Sequence, residues 1–189
     1  GGSASSNSNG SITSSVSVNQ DAGFSIVSYS GNSTNGATIG HGLGAIPKMM
    51  IVRKRNSAEN WLVYHASTGN TGATLLNGTN AFFQDDMWNS TSPTSSVFTV
   101  HGGAGANASG GTYIAYCFAE KQGYSKFSSY SSNSNADGPF VYLGFKPAFL
   151  IVKCTTAAEG WAIMDSTREP INDGSFATLD ANNNSSEGS

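Results

Sequence analysis

The chain repeats itself at an offset of 100 residues. The positions that recur unchanged include Gly23, Ser25, Gly44, Pro47, Ile51, Val52, Glu59 and Trp61, which return as Gly123, Ser125, Gly144, Pro147, Ile151, Val152, Glu159 and Trp161. Solenoids of small units have periods of about 20 to 50 residues, so this longer period indicates repeated lobes. We therefore predict a first lobe over residues 22–120 and an incomplete copy over residues 121–189, preceded by a segment of residues 1–21.

The second copy lacks the last part of the first. In the first copy, two apolar stretches at residues 95–100 and 111–119 follow the shared region, and the sequence reaches Ser189 before either has a counterpart. We expect the missing strands to be supplied either by residues beyond 189 or by another chain. A sheet without them has an open edge, and open edges pair with other strands.

The composition excludes several classes of protein. Only 11% of the residues are charged and the formal net charge is −3, whereas coiled coils, helical bundles and basic nucleic-acid arms need many charged side chains. We therefore predict no nucleic-acid partner. Apolar runs such as residues 49–52 and 148–152 are far shorter than the ~20 residues of a membrane span, so we predict none.

The local pattern predicts an all-β fold. Short segments rich in β-branched and aromatic residues alternate with clusters of Gly, Asn, Ser and Thr, and no window has a convincing helical period. About a dozen such strands predict tandem β-sandwich lobes of jelly-roll type, one per repeat. The predicted strands include residues 23–30, 48–53 and 113–119, and residues 124–130 and 140–143 in the second copy. Residues 1–20 are small and polar, which is typical of an extended linker.

Two pairs of residues carry structural predictions. Trp61 and Trp161 hold equivalent places, so we predict that each closes the core of its lobe with its N–H on a loop carbonyl; a sugar-stacking platform is the alternative. Cys117 and Cys154 lie inside apolar runs. We predict buried free thiols, with a disulfide as the alternative.

Several segments together resemble a known family. They are residues 23–29, 40–48, 51–52, 61–65, 113–120 and 138–149. This combination resembles an uncharacterised β-rich repeat module of marine and cyanobacterial phage structural proteins, from about Ala22 to near the C-terminus. The resemblance implies a component of a tail fibre or another virion appendage and implies no catalytic set.

The residues that could support catalysis or bind a cofactor are few. His41, His65 and His101 are the histidines. At the repeat offset, Val141 and Asp165 replace the first two, so we predict surface or loop roles for them. The glycine-rich residues 40–44 precede a predicted strand, whereas a phosphate-binding loop leads into a helix.

Calcium is the only metal that the acidic residues suggest. The acids that could supply oxygen ligands are Asp85 with Asp86, and Asp165 with Glu169 and Asp173. No EF-hand spacing is present, so we interpret them as solvated loop acids. We predict no cofactor.

These observations lead to two functional hypotheses. The first is a non-enzymatic structural module of a phage virion appendage or extracellular fibre, which associates with itself and with other virion proteins. The second is a receptor-binding or glycan-binding module, since sugar sites place aromatic faces beside polar amides. The residues that could form such a site are Trp88, Asn89, Phe83, Tyr64 and Trp61. Trp88 is the strongest candidate, because the second copy has no visible equivalent of this tryptophan and the scaffold therefore need not require it. A depolymerase is a third and weaker hypothesis.

Overall fold

The structure is a computed structural model and describes residues 2–168 and 178–185. These residues form strands and loops without a helix, which confirms the all-β prediction. The strands are β1 (Ser5–Asn7), β2 (Ser14–Asn19), β3 (Phe24–Ser30), β4 (Ala37–Gly40), β5 (Met49–Lys54), β6 (Leu62–His65), β7 (Gly69–Leu75), β8 (Phe83–Gln84), β9 (Val97–Val100), β10 (Thr112–Phe118), β11 (Phe149–Lys153), β12 (Trp161–Asp165) and β13 (Leu179–Asp180).

The strands form three antiparallel sheets. The largest has eight strands in the order β1-β2-β3-β10-β5-β6-β7-β8, and the smallest pairs β4 with β9. The third sheet has the order β11-β12-β13. Strand β10 is central to the largest sheet, because it pairs with β3 on one side and with β5 on the other.

The main hydrophobic core lies between the eight-stranded sheet and the β4-β9 sheet. Side chains alternate along β10, so Tyr113, Ala115 and Cys117 are fully buried while their neighbours are partly exposed. Tyr29 of β3 stacks on Tyr113 with ring centroids 5.1 Å apart, and meets Phe98 of β9 edge-on at 6.1 Å. These aromatic contacts join the two layers across the core.

The N-terminal residues are not a linker, contrary to the sequence prediction. Strand β1 pairs with β2, and β2 pairs with β3 over residues 15–19. Ile12 and Val16 are buried in the main core. The small polar composition concealed the short alternation of Val16 and Val18. Backbone hydrogen bonds can extend a sheet without large side chains.

The two repeats share one strand pair in register. Ile51 of β5 lies opposite Val63 of β6, and Ile151 of β11 lies opposite Ile163 of β12, which is the pairing that an offset of 100 residues requires. The predicted strands at residues 124–130 and 140–143 do not form. In the first repeat β3 is held between β2 and β10, and the described part of the second repeat has no strand in those positions.

Both cysteines are free, and they differ in environment. Cys117 is fully buried, and burial raises the pKa of its thiol to about 12. Cys154 is half-buried, so the prediction of a buried thiol is wrong for this residue. A backbone hydrogen bond from Thr156 is the main cause of its lowered pKa.

Candidate functional site

The leading residue of the predicted glycan site is part of the core. Trp88 is 1% exposed, and its Nε1–H donates a hydrogen bond of 2.9 Å to the Gly72 carbonyl. Its ring meets the buried ring of Tyr64 edge-on, with centroids 5.7 Å apart. A sugar needs an exposed aromatic face, so neither residue forms the predicted platform.

The other members of the predicted glycan site lie nearby without forming a binding surface. Phe83 is in β8, pairs with Ala73 and packs half-buried against the main core. Asn89 is half-buried with a φ of 51°, and it follows Trp88 directly. The structure therefore brings Tyr64, Trp88 and Phe83 together as core residues.

The two equivalent tryptophans have different surroundings. Trp161 is buried and its Nε1–H donates 2.7 Å to the carbonyl of Leu75, so it joins the second repeat to β7 of the first. Trp61 is half-buried, and the Arg53 guanidinium lies 5.6 Å from its ring centroid. The predicted N–H to carbonyl contact is present for Trp161, which seals the contact between repeats and not the core of one lobe.

His41 lies in the loop after β4, as predicted, but its side chain is fully buried, so a surface role is wrong for it. The Leu43 N–H donates to Nδ1 at 3.2 Å, which leaves Nε2–H to donate to the Thr94 carbonyl at 3.2 Å. This network assigns a neutral imidazole, and burial lowers its pKa. His65 is half-buried and its Nδ1 accepts from the Ser67 N–H at 3.2 Å. Burial also lowers the pKa of His65.

These two histidines predict acid-sensitive stability. Their unfolded pKa is about 6.5 and their folded pKa is lower, so below about pH 6.5 the unfolded chain takes up protons that the folded chain does not. Stability is then lost as the pH falls, by at most about 1.4 kcal/mol per pH unit for each histidine. Urea unfolding at about pH 7.5 and about pH 5.5 measures this loss.

The matched variants for this measurement are His41→Gln and His65→Gln, which cannot titrate. Each is expected to lose less stability between the two pH values than the wild-type chain does. An equal loss in the wild type and both variants would assign the acid sensitivity to other groups.

The described acids that were considered as calcium ligands are exposed or bound to neighbouring side chains. The Asp165 carboxylate accepts from the Arg168 Nε–H at 2.7 Å, and hydrogen bonds from the Arg168 backbone and side chain lower its pKa. Asp85 and Asp86 are exposed, and the Ser90 hydroxyl donates to Asp86 at 3.0 Å. Glu169 and Asp173 lie outside the described residues. Within residues 2–168 and 178–185, no three His, Cys, Asp or Glu side chains cluster in a way that could hold a metal ion.

A shallow groove of about 330 Å³ runs beside β3 where the two repeats meet. Its wall is mainly apolar and includes Phe24, Ile26 and Tyr124, while Ser17 and Asn19 supply polar groups. Tyr124 is exposed. Sequence patterns do not predict this groove, because its lining residues come from distant parts of the chain.

Among the described residues, the most exposed large apolar side chains belong to the second repeat. Phe140 is 90% exposed and Tyr142 is 77% exposed, and Phe149 and Leu150 of β11 are also exposed. Strand β11 pairs with β12 on one edge only among the described residues. Exposed apolar patches and open edges on a protein mark interaction sites. This surface is the candidate functional site.

The sequence signal for this surface was the missing counterpart of residues 111–119, which predicted an open edge. This signal could not predict which residues are exposed, because a buried strand and an exposed strand have the same apolar pattern. In the first repeat Met49 and Met50, the counterparts of Phe149 and Leu150, are buried.

In the part of the chain that the structure describes, no helix has the length and apolar character needed to cross a membrane.

Comparison with known proteins assigns the chain to a family. No curated protein and no solved structure matches the chain. A family model described as a domain of unknown function, DUF7483, matches residues 1–189. The chain therefore belongs to the DUF7483 family.

Proposed function

We propose that this protein is a non-enzymatic structural module of a virion appendage or another extracellular fibre, and that it associates with itself. The observation that carries the proposal is the uncovered apolar surface of the second repeat, where Phe140, Tyr142 and Phe149 are all more than half exposed. Removing such side chains from water contributes about 25 cal/mol per Å² of apolar area, which offsets part of the entropy cost of association.

The tandem organisation supports a structural role. Strands β5-β6 and β11-β12 repeat the same pairing register, which fits two β-sandwich lobes built on the same strand pair. The resemblance to phage structural modules points to virion proteins as neighbours and to an extracellular location. The histidines with described hydrogen bonds, His41 and His65, serve the fold.

The mass of the protein in solution tests this proposal. Light scattering and sedimentation equilibrium are expected to give multiples of the 19.5 kDa chain mass, with the assembled fraction rising with concentration. A constant monomer mass over the whole soluble concentration range would contradict self-association.

Glycan binding is a second candidate function. The groove beside β3 is a better site for it than the region around the buried Trp88. Tyr124 is 66% exposed and lines the groove together with Asn19 and Ser17. An aromatic ring with an amide and a hydroxyl in one groove suits sugar recognition. A glycan array is expected to show binding that Tyr124→Ala removes. Tyr130→Ala is the matched control, because Tyr130 is 55% exposed and does not line the groove. Equal binding by both variants would exclude the groove.

A further inference from the structure

The free edge of β11 is the edge away from β12, where no described strand pairs with it. The pairing with β12 fixes which backbone groups point to this edge. The Ser166 N–H donates to the Ala148 carbonyl at 3.0 Å, at the start of the pairing of β11 with β12. Hydrogen-bonding groups of successive residues in an antiparallel strand point to opposite edges. The N–H and C=O groups of Leu150 and Val152 therefore face β12, and those of Phe149, Ile151 and Lys153 face the free edge.

The first repeat shows which kind of strand pairs with the edge that corresponds to the free edge of β11. There, β5 has β6 on one edge and β10 on the other, with Tyr116 of β10 opposite Ile51. The occupant is an antiparallel strand with apolar side chains. By the repeat offset, Ile151 is the counterpart of Ile51, and no described strand lies opposite it on that edge.

The side chains of β11 are also uncovered on one face. Ile151 packs with Trp161 in the cluster that joins the two repeats, so Leu150 and Val152 point to the opposite face of the sheet. Leu150 is 40% exposed, whereas its counterpart Met50 is 1% exposed in the main core. The open edge and the uncovered face thus belong to the same strand.

We propose that β11 pairs with β11 of a second copy of the chain, which joins two three-stranded sheets into one sheet of six strands. This inference rests on the self-association proposed above and names its interface. A two-fold axis through Ile151 places Ile151 opposite Ile151, Leu150 opposite Val152, and Phe149 opposite Lys153. The symmetry makes the pairing antiparallel, as it is between β5 and β10.

This pairing is self-complementary. The free-edge groups of the two strands meet directly and form about six backbone hydrogen bonds. Apolar residues face apolar residues across the axis, and the one charged residue of β11, Lys153, meets a phenylalanine and not a second lysine. No charge, proline or bulge protects the edge over residues 149–152. Beyond this stretch the first repeat contacts the end of β11: Lys153 Nζ donates to the Thr79 carbonyl at 3.2 Å, and the Phe82 N–H donates to the Thr155 carbonyl at 2.9 Å.

Charge substitutions at Leu150 and Val152 test the register. Leu150→Lys and Val152→Glu are each expected to weaken dimerisation of the full chain by about tenfold, because each replaces the two symmetric apolar cross-strand pairs of residues 150 and 152 by pairs of a charged and an apolar side chain. The double variant Leu150→Lys/Val152→Glu places each lysine opposite a glutamate of the partner, and it is expected to recover most of the lost affinity. Sedimentation equilibrium measures all of these constants.

Leu179→Lys is the matched control. Leu179 is 40% exposed, as Leu150 is, and lies in β13 at the other edge of the same sheet, so its substitution is expected to leave dimerisation unchanged. If the wild-type chain assembles and Leu150→Lys assembles equally well, the β11 interface is wrong while the proposed function stands. If the double variant is no better than the single variants, the register is wrong. A wild-type chain that stays monomeric overturns the proposed function and this inference together.

Discussion

Replacing Trp88 by alanine is expected to lower the free energy of unfolding by about 3–5 kcal/mol, the usual cost of removing a buried tryptophan. The substitution leaves a cavity beside Tyr64 and leaves the Gly72 carbonyl without its donor. Urea denaturation followed by far-UV circular dichroism measures the change, because that signal does not depend on the deleted indole.

The control for this experiment is Trp61→Ala. Trp61 is half-buried and contacts Arg53 and Tyr116 at the surface of the sheet. Its loss is expected to cost about 1–2 kcal/mol, since only part of the side chain leaves water on folding. Equal costs for the two variants would show that Trp88 is not a core residue. Loss of sugar binding by Trp88→Ala at unchanged stability would restore the glycan hypothesis for this residue.

Replacing Asn107 by aspartate is expected to lower the free energy of unfolding by about 3 kcal/mol or more. Asn107 is fully buried, and its Nδ2 donates to Asn32 Oδ1 at 3.1 Å and to the Thr34 carbonyl at 2.9 Å. Its Oδ1 accepts from the Asn32 N–H at 2.9 Å. Aspartate has the same shape but no donor, so two acceptors lose their partner and a charge is buried beside them.

The matched control for Asn107 is Asn184→Asp at an exposed site, which is expected to change stability by less than about 0.5 kcal/mol. The cost of Asn107→Asp is also expected to shrink at low pH, where a protonated aspartic acid can donate one hydrogen bond. A cost below about 1 kcal/mol at neutral pH would mean that the Asn107 network does not hold the loops at residues 31–36 and 102–111 together.

The fold class was predictable because it depends on local pattern. Alternating apolar residues in segments such as residues 48–53 and 113–119 indicated β5 and β10 correctly. Strands that need a partner far along the chain were harder to predict. Residues 124–130 have the pattern of β3 but lack neighbours, and β2 has little pattern but has β3 beside it.

The candidate glycan residues show the corresponding limit for sites. A tryptophan and an asparagine in a polar loop have the composition of a sugar site, and burial decides whether the ring is available. Trp88 turns inward because the Gly72 carbonyl accepts its N–H and Tyr64 offers its ring. Both partners lie more than ten residues away in sequence, where local pattern carries no information.

The central position of β10 has a consequence for synthesis on the ribosome. Strands β3 and β5 are made early, but the strand that joins them, β10, is made much later. Until Phe118 leaves the exit tunnel, both nascent strands expose unpaired edges, and pairing between such distant segments is slow. The nascent polypeptide therefore depends on uninterrupted translation until β10 has left the exit tunnel, and a pause before that point would lengthen its exposure to aggregation.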